Sequence, residues 1–139
     1  MDTVTQTKLA LTIDGAKKVA AAAREVAEAN NWKVCIAIVD DGGNLMYFEK
    51  MDGCIIGSIE VSVQKAMCAI NFQRPSLEFS TALTNGKFSM LALRNAVPLE
   101  GGVPLTVNAD IVGAIGISGV TSEEDGVIAR AGASVLIPA

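Results

Sequence analysis

The first strong pattern along the chain is a helical one. Between Thr12 and Asn30, apolar side chains recur at three- and four-residue steps, while most charged residues lie off that stripe. Thr12 can cap the start of this helix, and Asp14 complements the positive end of the helix dipole. The pattern therefore predicts an amphipathic helix with one face packed on a core.

Two strands are predicted after this helix. A strand is predicted over residues 33–39, because residues 34–39 form a continuous apolar run rich in β-branched side chains, which indicates a strand covered on both faces. The sequence Asp-Gly-Gly-Asn at 41–44 is typical of a hairpin turn. Residues 45–50 are therefore expected to return beside the first strand.

Helical spacing resumes in the middle of the chain. It predicts a helix over residues 57–73, ended by Arg74 and Pro75. The buried stripe of this helix is expected to hold Ile59, Val63, Ala66, Met67 and Ile70. Ser76 can cap a short third helix that ends near Asn85, and residues 88–95 are compatible with another short helix.

The last third of the chain is rich in strand signals. Strands are predicted at 97–99, 103–107 and 111–118, with a tight hairpin over 108–110. A final helix follows, capped by Thr121 or Ser122, and Ser122-x-x-Asp125 resembles a capping box.

This order of elements predicts an α/β (α+β) domain that spans residues 1–139. Five strands joined mainly by hairpins favour a largely antiparallel sheet, and the long helices can cover both of its faces. The expected architecture is thus a three-layer α/β/α arrangement.

Composition narrows the function classes. Half of the 139 residues are apolar, which suits a core without disulfide staples. The net charge is −4 and no basic cluster is visible, so nucleic acid is not an expected partner. No apolar run reaches the ~18 residues of a membrane span, and the N-terminus lacks the pattern of a secretory signal. A cytoplasmic location is expected.

The chain has three cysteines and no histidine. Cys35 and Cys68 lie in apolar runs and are interpreted as small buried hydrophobes, while the role of Cys54 is left open. No zinc-type spacing occurs, so no metal site is predicted. The lack of histidine also removes the commonest general base.

Three carboxylates are the candidate catalytic groups: Glu100, Asp52 and Asp40. Glu100 precedes two glycines within Pro-Leu-Glu-Gly-Gly-Val-Pro-Leu at 98–105, a segment unlike an ordinary hairpin. Asp40 ends the first strand and Asp52 follows the second, where each can orient a ligand or a loop. Two carboxylates can divide acid and base roles if their environments separate their pKa values. The alternative for Glu100 is a solvated side chain at an unusual bend.

The candidate ligand-binding residues are Lys65, Gly101, Gly102, Gly119, Thr121 and Ser122. Gly119 leads a strand into a helix N-terminus, where N–H groups and the hydroxyls of Thr121 and Ser122 can hold a carboxylate or phosphate. The acids at 123–125 also fit a well-capped helix that binds nothing. Lys65 can face the Glu100 or Asp52 carboxylate or a bound anion, and its alternative is a lysine that reaches solvent at the helix edge.

Gly113, Gly116 and Gly119 repeat at every third residue inside a strand-like run. This is not the spacing of a dinucleotide-binding loop, which also requires a strand-to-helix turn, so a Rossmann fold is rejected. Glycines of this kind indicate places where a helix or a partner backbone approaches the strand closely.

Several segments in order resemble the GlcG/HbpS-like family, also called the haem-degrading or haem-binding-uptake-like domain, which recurs at the C-terminus of PduO-type proteins. They are Val-Asp-Asp-Gly-Gly-Asn-Leu at 39–45, Met-Asp-Gly at 51–53, Lys-Ala at 65–66, the segment 98–105, Gly-Ala-Ile-Gly-Ile-Ser-Gly at 113–119 and Ala-Arg-Ala-Gly at 129–132. The resemblance implies a profilin-like three-layer fold with a five-stranded antiparallel sheet. It also implies a homo-oligomer.

The resemblance implies a small-molecule ligand, because relatives bind haem or corrinoid compounds. The first hypothesis is a protein that binds haem, a corrinoid or another acidic metabolite. Without histidine, a haem iron would need another axial ligand. The candidates are Met46, Tyr47, Met51, Cys54, Met67 and Met90. The alternative is a catabolic enzyme, an isomerase, lyase or hydrolase, that uses the carboxylates on a small acid, so the cofactor stays open.

Overall fold

Residues 3–136 are described by a computed structural model of the chain. The helices are α1 (Ile13–Ala29), α2 (Gly57–Phe72), α3 (Leu77–Thr84) and α4 (Ser122–Ser134), with a 3-10 helix at Phe88–Ala92. The strands are β1 (Cys35–Asp40), β2 (Leu45–Lys50), β3 (Gly102–Val107) and β4 (Asp110–Ser118). Both predicted hairpins, β1–β2 and β3–β4, are confirmed.

The strands form one antiparallel sheet in the order β2-β1-β4-β3. The expected fifth strand is wrong, because the described residues contain four and the segment 97–99 is irregular. Pro98 lacks an N–H group for a ladder. The Leu99 N–H donates to the carbonyl of Val97 at 2.8 Å, and the Leu99 carbonyl accepts from the Ser76 hydroxyl at 2.6 Å. One short-range and one long-range hydrogen bond therefore replace strand pairing.

Helices cover both faces of the sheet, as expected. The side chains of Ile36 and Ile38 join a core formed with α1 and α4, while Ala37 and Val39 face α2. This alternation explains why β1 is apolar from Cys35 to Val39. The α2 face is built from small residues, and a Cβ on Gly116 would clash with the Ser62 carbonyl oxygen of α2. The predicted close helix approach is confirmed there.

The predicted buried stripe of α2 is only partly correct. Ala66 and Ile70 are buried, but Ile59 is 38% exposed, and Val63 and Met67 are only half-buried. The residues that face the sheet are mostly small or polar: Ser58, Ser62, Lys65, Ala66, Cys68, Ala69 and Ile70. The backbone of α2 lies so near β4 that large apolar side chains do not fit between them. Hydropathy alone therefore missed the small and polar residues of the buried face.

Two helices begin with a threonine whose hydroxyl is used in a capping hydrogen bond. Thr12 caps α1 by accepting from the Gly15 N–H at 3.0 Å, as predicted. Thr121 caps α4 in a capping box with Glu124, so the box expected from Ser122 and Asp125 is wrong by one residue. Because Glu124 takes the capping role, Asp125 turns into the interior.

Candidate functional site

Lys65 and Asp125 form a buried ion pair at one end of the sheet. Their side chains are 2% and 3% exposed, and Lys65 Nζ lies 2.9 Å from Asp125 Oδ2. Lys65 Nζ also donates to the Ile117 carbonyl at 3.0 Å, and Asp125 Oδ1 accepts from the Val120 N–H at 3.2 Å. The expectation that Lys65 reaches solvent is wrong, and its partner is neither Glu100 nor Asp52.

The pair joins helices on opposite faces of the sheet. Lys65 belongs to α2 and Asp125 to α4, so the lysine side chain must pass the end of β3. Gly101 leaves room for this side chain, and Gly102 leaves room for the backbone of α2 beside it. A Cβ on Gly101 would lie 2.6 Å from the Ile117 carbonyl and 2.9 Å from Lys65 Nζ, and one on Gly102 would clash with the Lys65 carbonyl. Gly101 also has a φ of 136°, which side-chain-bearing residues rarely adopt.

The environment of Asp125 perturbs its titration. Burial raises the pKa of the Asp125 carboxyl to about 6, although the hydrogen bond and the charge of Lys65 act in the opposite direction. A carboxyl that titrates near neutral pH inside a fold is a common feature of functional sites. Here the Asp125 carboxyl is almost fully enclosed, which favours a structural role. The Lys65–Asp125 pair links α2 to α4, and the charge of Asp125 depends on pH.

Glu100 lies next to this pair and binds a different cation, although its own side chain is mostly buried. Its Oε2 accepts from Arg130 Nη1 at 2.8 Å, with side-chain exposures of 12% and 53%. The glutamate side chain packs over Gly126 of α4, where any Cβ would clash with its carboxyl group. Glu100 is therefore neither a freely solvated side chain nor a partner of Lys65.

The structure does not bring the three predicted catalytic carboxylates together. Asp52 follows β2 and Glu100 precedes β3, and these are the two edge strands of the sheet. Four strands spaced about 4.8 Å apart place those edges roughly 14 Å from one another. Asp40 lies at the opposite end of the sheet, since it pairs with Gly113 whereas Cys35 pairs with Ser118.

Asp40 stabilises the turn between β1 and β2. Its Oδ1 accepts from the N–H groups of Gly42 and Asn44, both at 2.9 Å, and it orders the β1–β2 turn. Burial alone would raise the pKa of Asp40, but the hydrogen bonds from Asn44 and Gly42 outweigh it and lower the pKa. Asp52 is exposed and lines a shallow charged cavity with Arg24, Glu28, Lys33 and Met51.

The N-terminus of α4 is largely occupied by the chain itself. The Thr121 hydroxyl accepts from the Glu124 N–H, and Glu124 Oε1 accepts from the Thr121 N–H at 3.3 Å. Gly119 packs so closely on β1 that a Cβ would lie 2.8 Å from the Cα of Val34. Ser122 is half-buried beside it. These groups close the fold, and little of the predicted anion-binding surface is left free.

A mainly apolar candidate cavity lies elsewhere, between α2 and the segment that precedes β3. It measures about 410 Å³ and is lined by Val63, Gln64, Met67, Asn95, Ala96, Val97 and Pro98. Its volume falls within the roughly 300–1,000 Å³ of ordinary ligand pockets. Sequence reasoning named Met67 as a potential haem ligand but missed this cavity, because it assigned Val63 and Met67 to the core and residues 97–99 to a strand.

Within residues 3–136, no three Cys, Asp or Glu side chains converge as metal ligands, and histidine is absent from the sequence. No helix in the described part of the chain is both long and apolar enough to cross a lipid bilayer.

Comparison with known sequences identifies relatives over most of the chain. A family model described as haem degrading protein HbpS-like matches residues 11–134. Protein GlcG of Escherichia coli (strain K12) is 37% identical over 113 residues, which is 81% of this chain and 84% of GlcG. An uncharacterised 15.0 kDa protein from the dhaT-dhaS intergenic region of Citrobacter freundii is 31% identical over 124 residues, 86% and 87% of the two chains.

Solved structures share the architecture. Klebsiella pneumoniae protein ORFY superimposes with a TM-score of 0.90 at 26% identity, covering 98% of this chain and 97% of ORFY. A double mutant of Streptomyces reticuli HbpS gives 0.87 at 31% identity, with 98% and 93% covered. A PduOC–haem complex gives 0.82 at 25% identity, with 91% and 94% covered. The resemblance inferred from the glycine-rich segments is thereby confirmed.

Proposed function

Because the chain belongs to the family of HbpS-like haem-degrading proteins, we propose that it is a small-molecule-binding protein with haem as its first candidate ligand. The observation that carries this proposal is the likeness to PduOC, a relative solved with haem bound. The apolar cavity beside α2 is the part of this chain best suited to such a ligand.

Met67 is the side chain most suited to contact a haem iron. Methionine sulfur serves as an axial ligand in some haem proteins. Among the sulfur and phenol groups named above, Met67 alone lines the apolar cavity. Met51 and Cys54 are buried, and the Tyr47 hydroxyl donates to Glu49 at 3.1 Å. Burial also raises the pKa of Tyr47, which disfavours a phenolate ligand.

The cavity walls also restrict how an acidic ligand would bind. Gln64 and Asn95 can donate hydrogen bonds, and none of the seven lining residues carries a charge. A macrocycle would therefore be held by Val63, Met67 and Val97 through apolar contact, with its carboxylates turned to solvent. The same reasoning applies to a corrinoid or to another acidic metabolite. Haem, when bound, would supply redox chemistry at its iron.

A hemin titration tests this proposal. We expect a saturable, stoichiometric change in the Soret band of the purified protein. Met67→Leu keeps the volume of the side chain and removes the sulfur, so it should shift the Soret maximum and weaken binding about tenfold or more. Met90→Leu is the matched control, since Met90 is half-buried outside this cavity and should leave the titration unchanged.

The titration tests the identity of the ligand and the position of its binding site separately. A featureless titration contradicts haem binding, and corrinoid and small carboxylic acids are then tested by calorimetry. Normal binding by Met67→Leu contradicts the assignment of Met67. We do not advance the enzyme alternative, because Glu100, Asp52 and Asp40 lie at separate places and no other observation favours it.

We also propose that the protein is a homo-oligomer. Several large apolar side chains are exposed, among them Ile56 at 81%, Phe88 at 71% and Ile55 at 66%. Exposed apolar groups of this kind are typical of protein interfaces. Light scattering after gel filtration would show a mass above the 14.4 kDa of one chain, and a mass equal to it would contradict the proposal. A cytoplasmic location stays a prediction.

A further inference from the structure

Two buried cysteines from separate segments lie side by side. Cys35 is the first residue of β1, and Cys54 lies between β2 and α2. Both are free thiols, and their Sγ atoms are 3.6 Å apart. The sequence spacing did not predict this contact. The sheet creates it, because Cys35 pairs with Lys50 at the end of β2, just before the segment that carries Cys54.

We propose that Cys35 and Cys54 form an oxidation site, which closes to a reversible intramolecular disulfide when the protein meets a two-electron oxidant such as hydrogen peroxide. The site is independent of the apolar cavity, since neither cysteine lines it. Cys68, the third cysteine, has a different setting on α2, where its Sγ accepts from the Val97 N–H at 3.3 Å.

The geometry requires only a small movement. A disulfide has an S–S length of about 2.05 Å, so the two sulfurs must approach by roughly 1.5 Å. Cys35 is held in β1 between two neighbouring strands. Cys54 lies in a turn where its N–H donates to the Met51 carbonyl at 3.1 Å. Rotation of the Cys54 side chain and adjustment of this turn can supply the movement without disturbing the sheet.

Exposure indicates the order of the chemical steps. Cys54 is 6% exposed and Cys35 is 0% exposed, so peroxide reaches Cys54 first. Peroxide transfers one oxygen to Cys54 Sγ, which gives a sulfenic acid and water. Cys35 Sγ then attacks that sulfur, and the hydroxyl group leaves with the Cys35 proton as a second water. The S–S bond forms, both thiols are oxidised and peroxide is reduced.

The protein environment makes Cys35 the second thiol to react. Burial raises the pKa of Cys35 to about 12, with a smaller contribution from the neighbouring Cys54. A thiol that holds its proton at neutral pH is a poor first nucleophile toward peroxide. It can still resolve a sulfenic acid that is formed in contact with it, because the reaction is then intramolecular.

Peptide mapping of the full chain tests this inference. We expect peroxide treatment of the folded protein to remove two hydrogens from its mass and to yield one linked peptide pair that contains Cys35 and Cys54. Dithiothreitol should reverse both changes. Cys54→Ser should abolish the link, whereas the control Cys68→Ser should retain it, with circular dichroism confirming that both variants fold.

Three outcomes would overturn the inference. They are a link that involves Cys68, sulfinic or sulfonic acid at Cys54 without any link, and no oxidation of the folded protein under conditions that oxidise it in urea. The mapping of the unmodified chain decides between them even if a serine variant fails to fold.

Discussion

Two ion pairs join α4 to neighbouring parts of the fold close to Gly101, and they differ greatly in burial. The Lys65–Asp125 side chains are 2% and 3% exposed, whereas those of Arg130–Glu100 are 53% and 12% exposed. The lengths are nearly equal, at 2.9 and 2.8 Å. The contribution of each ion pair to folding stability therefore depends on its burial rather than on its length.

The two ion pairs account for several residues of the segment 98–105. Gly101 is required because the Lys65 side chain passes it on the way to Asp125 of α4, and Gly102 is required because the backbone of α2 approaches it at the Lys65 carbonyl. Glu100 has an outer position on α4, where Gly126 provides the space and Arg130 the charge. Folding thus accounts for the two glycines, while a proton-transfer role for Glu100 stays a prediction.

The largest expected effect comes from breaking the buried pair on one side. Lys65→Met removes the charge but retains most of the stem, and it leaves Asp125 buried without its cation. We expect the free energy of unfolding in urea to fall by about 3–5 kcal/mol. Lys17→Met, at an exposed position of α1, is the control and should change it by less than about 0.5 kcal/mol.

A second variant checks the cause. Combining Lys65→Met with Asp125→Leu removes both charges, and the double variant should recover most of the loss, because an apolar pair can replace a buried ion pair. Equal losses in the single and the double variant would show that packing, rather than an unpaired charge, dominates at this position.

The next effect is a pH dependence that belongs to Asp125. Its pKa is raised from 3.8 to about 6 in the folded chain, a change that corresponds to about 3 kcal/mol. The folded state therefore binds more protons than the unfolded state between these two values, and the stability from this group falls as pH rises through that window. Below about pH 4 its contribution is fully present.

Asp125→Asn cannot ionise and supplies the reference. Urea unfolding from pH 3.5 to 7 should show wild type losing up to about 3 kcal/mol relative to Asp125→Asn between about pH 4 and 6. A difference between the two proteins that does not change with pH would place the pKa of Asp125 near its ordinary value.

A third effect comes from adding a methyl group beside each pair. Gly101→Ala would bring a Cβ against the Ile117 carbonyl and the Lys65 side chain, at a φ of 136°. We expect a loss of about 2–3 kcal/mol in urea unfolding. Gly126→Ala meets only the flexible Glu100 side chain, which can swing away, so it should change stability by less than about 1 kcal/mol.

One outcome for Gly101→Ala and Gly126→Ala would contradict this prediction. If Gly126→Ala destabilises the protein as much as Gly101→Ala does, then Glu100 is held as rigidly as Lys65. The distinction between a buried and a surface link would then be wrong.

Local patterns in the sequence were sufficient for much of the fold. Helical spacing and the Thr12 cap predicted α1, and the turn residues predicted both hairpins. The failures occurred where tertiary contacts override local preference. The segment 97–99 has the composition of a strand, yet the Ser76 hydroxyl takes the Leu99 carbonyl. Hydropathy cannot reveal a bond between residues so far apart along the chain.

The candidate site was harder to predict because it depends on long-range pairing. Lys65 was recognised as a candidate for contact with a carboxylate, but Asp125 was assigned only to the cap of the last helix, and 60 positions separate the two residues. The rule that lysine reaches solvent also points away from a buried pair. One clue was present in advance, since two adjacent glycines between prolines indicate that another group approaches the backbone.

The smallest expected effect comes from the outer pair. Arg130→Met keeps the side-chain stem and removes the charge, and we expect the free energy of unfolding to fall by about 0.2–1 kcal/mol. Salt separates the two pairs further. In about 1 M sodium chloride the Arg130→Met loss should nearly vanish, because exposed charges are screened, while the Lys65→Met loss should persist. A salt-insensitive loss above about 2 kcal/mol for Arg130→Met would place Glu100 in an environment as enclosed as that of Asp125. Glu100 would then lie in the enclosed environment that its predicted catalytic role requires. Neither ion pair would then behave as an exposed one.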